Sequence, residues 1–169
     1  MGIGELRCVV INVTDLAVGY RFWSAVTGLE MIGSPDGWHG WLGYLGTKDP
    51  RKHEMILQRS DNAPVEVATP SHDKTNAVHI DITPNNGIDS AIEEILALGG
   101  SVKKPPSLYP RPGSHKDDPP LIDWAVMQDP FGNEFCLVYD LTEEQSHAAM
   151  AVDATTDHEW RVAAGQTES

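Results

Sequence analysis

Apolar and polar positions follow the same order twice along this chain. Residues 7–13, RCVVINV, place Val9, Ile11 and Val13 on one side of an extended strand and Cys8, Val10 and Asn12 on the other. The period then lengthens. Leu16, Tyr20, Trp23 and Val26 or Thr27 recur at helical spacing, with Asp15 as an N-cap and Gly28 as a stop, which predicts a helix over 16–27. The second half repeats the pattern. Ile80 and Ile82 share one side of a strand and His79, Asp81 and Thr83 the other. Ile88, Ile92, Ile95 and Leu96 then line a helix over 88–98, which Gly99-Gly100 ends. Each half closes on a hairpin strand, TKDPRKHEMILQR and then MQDPFGNEFCLVYD, with Asp49-Pro50 and Asp129-Pro130 in matching places. In the last strand Phe135, Leu137 and Tyr139 point one way, and Glu134, Cys136 and Val138 the other; Gly132-Asn133 signals the turn before it.

An internal repeat of this kind decides the architecture. Several strands have one apolar face and one mixed face. The apolar faces need helices as cover, and the mixed faces must look into something partly wet. The expected fold class is α+β: two tandem βαβββ modules forming a curved mixed sheet around a cleft, with the helices outside. Module one covers about 5–60 and module two about 76–141, together one domain over 1–141. The connection 59–76 is polar and loop-like. Residues 104–120, KPPSLYPRPGSHKDDPP, hold six prolines and predict an irregular loop rather than a strand. The tail, 142–169, is rich in Ala, Thr, Glu and Asp. A helix is expected around Glu143–Val152 and partial disorder beyond it.

Composition narrows the functional classes. With 169 residues, 40% of them hydrophobic, the chain can bury a core as one domain or two small modules. No apolar run reaches the ~18 residues of a membrane span. The start, MGIGELRC, lacks the regions of a signal peptide. The two cysteines, Cys8 and Cys136, lie in strands of different halves, which fits free thiols and a cytoplasmic location. The net charge of −13 argues against a nucleic-acid partner, since phosphate binding needs a basic face. It is compatible with a cationic ligand and equally with ordinary solubility.

The segment GWHGWLGYLG bears on pocket type. Trp38, Gly40, Leu42 and Tyr44 share one face of it; His39, Trp41, Gly43 and Leu45 share the other. Trp124 opens the matching strand of the second module. Aromatics on an inner sheet face would stack on a planar or apolar ligand, and the plainer alternative is that half of them are core. Tyr109, Arg111 and His115 lie in the proline-rich segment, as parts of a closing loop or of a solvated surface.

A repeated βαβββ unit with Leu-Gly after each helix and DPFGNEF before the last strand resembles the vicinal oxygen chelate superfamily. That group includes glyoxalase I, extradiol dioxygenases, fosfomycin-inactivating enzymes and bleomycin-binding proteins, and the chain is most similar to its small bacterial glyoxalase-like members. The residues carrying the resemblance are RCVVINVTD, FWSAVTGLEM, VHIDI and WAVMQDPFGNEFCLVYD. It implies a homodimer and a small-molecule ligand. Metal-dependent members place two ligands per module, on its first and last strands. Carried over, these positions fall on Cys8, on Ile56 or Gln58, on His79, and on Cys136 where such members commonly have Glu. His79 alone survives of the usual ligands, so a two-histidine, one-carboxylate iron site and extradiol dioxygenase activity are not expected. No metal cofactor is expected; if a divalent metal binds, Cys8, His79 and Cys136 would be its ligands, an accepted zinc set. The plainer reading makes both cysteines small buried residues.

His79 and Asp81 lie two residues apart on one strand face and are the candidate catalytic pair, a histidine beside a carboxylate being suited to moving protons. The alternative is a structural hydrogen bond. Cys8, Trp38, Trp41, Gln58, Trp124, Glu134 and Cys136 are the candidate ligand-binding residues, although Glu134 also suits a hairpin cap. The expected function is a metal-independent isomerase- or lyase-type step on a small organic molecule. The alternative is a non-catalytic protein that sequesters a toxic or antibiotic molecule.

Overall fold

The computed structural model describes residues 6–32, 40–47, 53–61, 79–113 and 118–167. Its elements run β1 (Val9–Val13), α1 (Leu16–Thr27), β2 (Glu30–Ile32), β3 (Leu42–Gly46), β4 (His53–Arg59), β5 (Asp81–Ile82), α2 (Ile88–Ala97), β6 (Ser101–Tyr109), β7 (Ile122–Gln128), β8 (Glu134–Asp140), α3 (Glu143–Met150) and α4 (Asp157–Ala163). The repeat is visible in the strand order. One sheet is β1-β4-β3-β2 and the other is β5-β8-β7-β6. In each, the first strand of the module lies parallel to the last, and every other pairing is antiparallel. The chain divides into two units, residues 1–74 with 129–133, and residues 75–128 with 134–169.

In the first unit, α1 covers the sheet face of Ile11, Val13 and Leu57, all buried. Asp15 accepts a hydrogen bond from the Val18 N–H at 3.0 Å, and Gly28 ends the helix at φ 71°. The buried face of α1 is Gly19, Phe22 and Trp23, not the full stripe read from the periodicity. The reason is Gly19. A Cβ there would stand 3.2 Å from both Leu57 Cδ1 and Val13 Cγ1, so its absence lets the helix approach the sheet closely along this face.

The turn 129–133 belongs to this unit and explains DPFGN physically. The buried Asp129 carboxylate accepts from the N–H groups of Phe131 (2.9 Å) and Asn133 (2.8 Å), from Asn133 Nδ2 (2.8 Å) and from Trp23 Nε1 (3.1 Å). Gly132 sits at φ 89°, where a side chain would be strained. Asn133 Nδ2 also donates to the Asn12 carbonyl at 3.0 Å. The motif is therefore a structural clasp in which every donor aimed at a buried carboxylate stabilises it.

In the second unit, α2 packs Ile88 and Ile95 against a core of Ala125, Met127, Phe135 and Leu137. Leu96, expected on that face, is exposed. The proline-rich segment corrects the sequence reading: residues through Tyr109 form β6, an edge strand, rather than a loop. Its register against β7 shifts between Val102 and Lys104 and again between Lys104 and Ser107, around Pro105-Pro106. Prolines at bulges on a sheet edge forfeit no ladder donor, so the strand survives them.

In the tail, α3 is the helix expected around Glu143–Val152, and a second helix, α4, follows it among the residues described through 167. Thr142 with Gln145 and Thr156 with Glu159 form capping boxes that start them. Ala149, Ala164 and Trp160 pack with Leu108 of β6 and Leu141. Arg161 of α4 is buried and its Nε reaches the fully buried Asp123 of β7 at 2.9 Å, while Nη2 reaches Asp89 of α2 at 2.6 Å.

Candidate functional site

Strand register fixes which side chains share the polar face of the second sheet. Asp81 pairs with Cys136, Cys136 with Val126, and Val126 with Lys104. Trp124 pairs with Val138, and Glu134 with Gln128. Residues opposite one another across a ladder project to the same side. This face is therefore the reverse of the one that buries Phe135, Leu137 and Met127. The period of two in DWAVMQ and EFCLVYD is what sorts them.

Three groups with acid–base or ligand chemistry meet here. His79, just before β5, places Nε2 at 3.3 Å from Asp81 Oδ1; their side chains are 46% and 59% exposed. Cys136 is buried at 9% exposure and lies opposite Asp81 in the ladder. Burial pushes the Cys136 thiol up from its usual range, the Asp81 and Glu134 charges push it further, and Lys104 pulls partly back. The thiol is thus held protonated at neutral pH in the metal-free protein, and a thiolate activated by His79 is not what this site builds.

The neighbouring residues have other partners. Glu134 forms an ion pair with Lys103 and does not cap the hairpin, a task Asp129 performs. Lys104 Nζ lies 4.3 Å from the centroid of the Trp124 ring, a cation–π contact that the sequence reading missed. The bulges in β6 bring these lysines to this face, and no periodicity in KKPP announces them.

The remaining candidates lie in the first unit. Cys8 is half-buried before β1. Gln58 is exposed on β4, in register with Asn12 and Leu42. Trp41 is 56% exposed in the turn before β3. Trp38 and His39 fall outside the described residues, as does His115. Tyr44 is buried, its N–H donating to the Tyr20 hydroxyl at 2.8 Å. Arg111 pairs with Asp157 at 3.0 Å and lies over Trp160, so it anchors α4.

The metal question changes accordingly. Of the carried-over ligands, Cys8 and Gln58 belong to the first unit, and His79 and Cys136 to the second. The group that meets is His79, Asp81 and Cys136, whose ligand atoms all lie within 4.8 Å of one another. Asp81, read from the sequence as a partner for His79, is the added third donor. These residues fit a divalent ion of borderline softness and suit a hard, oxygen-seeking one poorly.

Among the described residues the βαβββ order recurs in both sheets, as in the vicinal oxygen chelate superfamily. The chain belongs to its glyoxalase-like domain family, whose sequence profile matches residues 8–138. The chain is similar in fold to a fosfomycin resistance protein, FosX, from Listeria monocytogenes, at 19% identity and TM-score 0.53, over 85% of this chain and 98% of that one. It is likewise similar to a glyoxalase/bleomycin resistance protein/dioxygenase family enzyme from Burkholderia phytofirmans PsJN, at 19% identity and TM-score 0.51, over 82% and 100% of the two chains. A hypothetical protein from S. aureus resembles it at 17% identity and TM-score 0.52, over 82% and 99%. No curated protein sequence matches the chain. Among the described residues no helix is long and apolar enough to cross a membrane.

Proposed function

We propose that this protein acts on a small organic molecule held against the polar face of its second sheet, with His79 and Asp81 moving a proton. The observation that carries this reading is the 3.3 Å approach of His79 Nε2 to Asp81 Oδ1 on an accessible surface. A neutral imidazole takes a proton from an activated C–H or O–H of the ligand, and the adjacent carboxylate stabilises the imidazolium that forms. Trp124 offers an apolar platform and Lys104 a positive charge on the same face. Return of the proton to another atom of the ligand completes an isomerisation, and departure of a group β to the deprotonated carbon completes a lyase step; neither needs a co-substrate.

The sequestering alternative uses the same face without a proton step. Similarity in fold to proteins named for fosfomycin and bleomycin resistance supports testing it beside the first. A thermal-shift screen of small organic molecules, fosfomycin and bleomycin among them, would find a ligand. Deuterium uptake from solvent into that ligand would then be followed by NMR. His79→Ala is expected to slow exchange by about 10²–10⁴-fold, the usual worth of a general base. If no exchange occurs in the parent protein although the ligand binds, sequestration is the function. If binding is indifferent to His79→Ala, Asp81→Asn and Trp124→Ala together, the site is elsewhere.

A further inference from the structure

We infer that His79, Asp81 and Cys136 form a binding site for a zinc-class divalent ion built by the second unit alone. The inference rests on the same side chains as the proposed acid–base step but not on that step. Its ligand set also differs from the one the family resemblance implies, which needs Cys8 and omits Asp81.

The distances carry it. A tetrahedral zinc ion holds nitrogen and oxygen donors about 3.3 Å apart, and sulfur and nitrogen donors about 3.6 Å apart, given its usual bond lengths. His79 Nε2 and Asp81 Oδ1 already stand at 3.3 Å. The widest separation among the three donors is at most 4.8 Å, about 1.2 Å beyond the ideal, within the reach of one side-chain rotation. The ladder pairing of Asp81 with Cys136 fixes two donors on adjacent strands, and the two-residue spacing of His79 from Asp81 brings the third to the same edge. This preorganisation comes from backbone hydrogen bonds. The exposed side of His79 and Asp81 leaves the fourth position open to water or to a ligand.

Donor chemistry selects the ion. Imidazole nitrogen, carboxylate oxygen and sulfur together favour zinc or cobalt(II) over magnesium or calcium, which want oxygen throughout. Binding releases the Cys136 proton to solvent, and the ion takes the lone pairs with which His79 and Asp81 would accept a proton. The loaded and metal-free proteins therefore offer a Lewis acid and a base, respectively, at one place.

The test is cobalt(II) titration of the chelator-treated, untagged full chain, without any organic ligand. Saturation at one equivalent, with a sulfur-to-cobalt charge-transfer band and displacement by zinc but not magnesium, is expected. Cys136→Ser should abolish the band, and His79→Ala or Asp81→Asn should weaken binding by more than about a hundredfold, above what outer-shell changes cost. Cys8→Ser should bind as the parent does. Circular dichroism of each variant checks that it is folded; His79 and Asp81 are exposed enough for their replacements to leave the fold intact. Absence of saturable binding overturns the proposal, as does binding that survives Cys136→Ser or needs Cys8. None of these results depends on turnover, so the acid–base reading stands or falls separately.

Discussion

Gly43 and Asp129 illustrate how single residues set the first unit. Gly43 stands where the Tyr20 ring crosses β3, and a Cβ there would run into that ring. Gly43→Ala is expected to cost about 1–3 kcal/mol by overpacking, read as a lower urea midpoint at unchanged slope. Asp129→Ala removes the acceptor for the Trp23 indole and for two turn N–H groups. A loss of about 2 kcal/mol or more is expected, since each abandoned buried donor is costly. A loss below about 0.5 kcal/mol would mean that water replaces the carboxylate. That His79 and Asp81 share a face was legible from the sequence because a strand shows its faces with period two. The Asp129 clasp was not, because its partner Trp23 is 106 residues away.

Elements were legible where the pattern was periodic and illegible where tertiary contacts overrode it. β1, α1, α2 and β8 follow the alternation that predicts them. β6 does not, because six prolines in the surrounding segment speak for a loop and only the edge position admits a strand. The helical tail was half legible: its Thr-Glu-Glu-Gln and Thr-Asp-His-Glu starts are capping boxes, but Ala-rich composition hid their partner on β6. Thr156→Ala is expected to cost about 1 kcal/mol. Burial pushes the Asp123 carboxyl up, and Arg161 pulls it partly back. Arg161→Leu strands that carboxylate in the core and is expected to cost about 3–5 kcal/mol at pH 7. The pH dependence follows from the sign. A carboxyl with a raised folded pKa is penalised when ionised, so its contribution is present below the unfolded value and lost as pH rises through the folded one. The deficit of Arg161→Leu should therefore shrink as pH falls toward 4, the midpoints of variant and parent converging. A constant deficit would assign the loss to packing.

At the scale of the molecule, the repeated βαβββ pattern was readable apart from β6, since two copies of one pattern check each other. The meeting of Cys136 with Asp81 was not, because it follows from strand register. The family match ends at residue 138, yet the second unit extends to the tail. A chain cut after residue 141 loses Arg161 beside Asp123 of β7 and bares Leu108 of β6. It is expected to unfold or self-associate, seen as early elution in gel filtration, since an unpaired buried carboxylate and a bared apolar patch are both costly. A monodisperse, cooperative truncated chain would show that the tail is dispensable.

The clasp at residues 129–133 also orders events in time. Synthesis proceeds from the N-terminus, and domains tend to fold as they emerge. The first unit, however, takes its last five residues from a turn far downstream, between two strands of the second. Its Trp23 indole lacks its Asp129 acceptor until residue 129 has been made. The N-terminal half thus waits, incomplete, while most of its successor is translated.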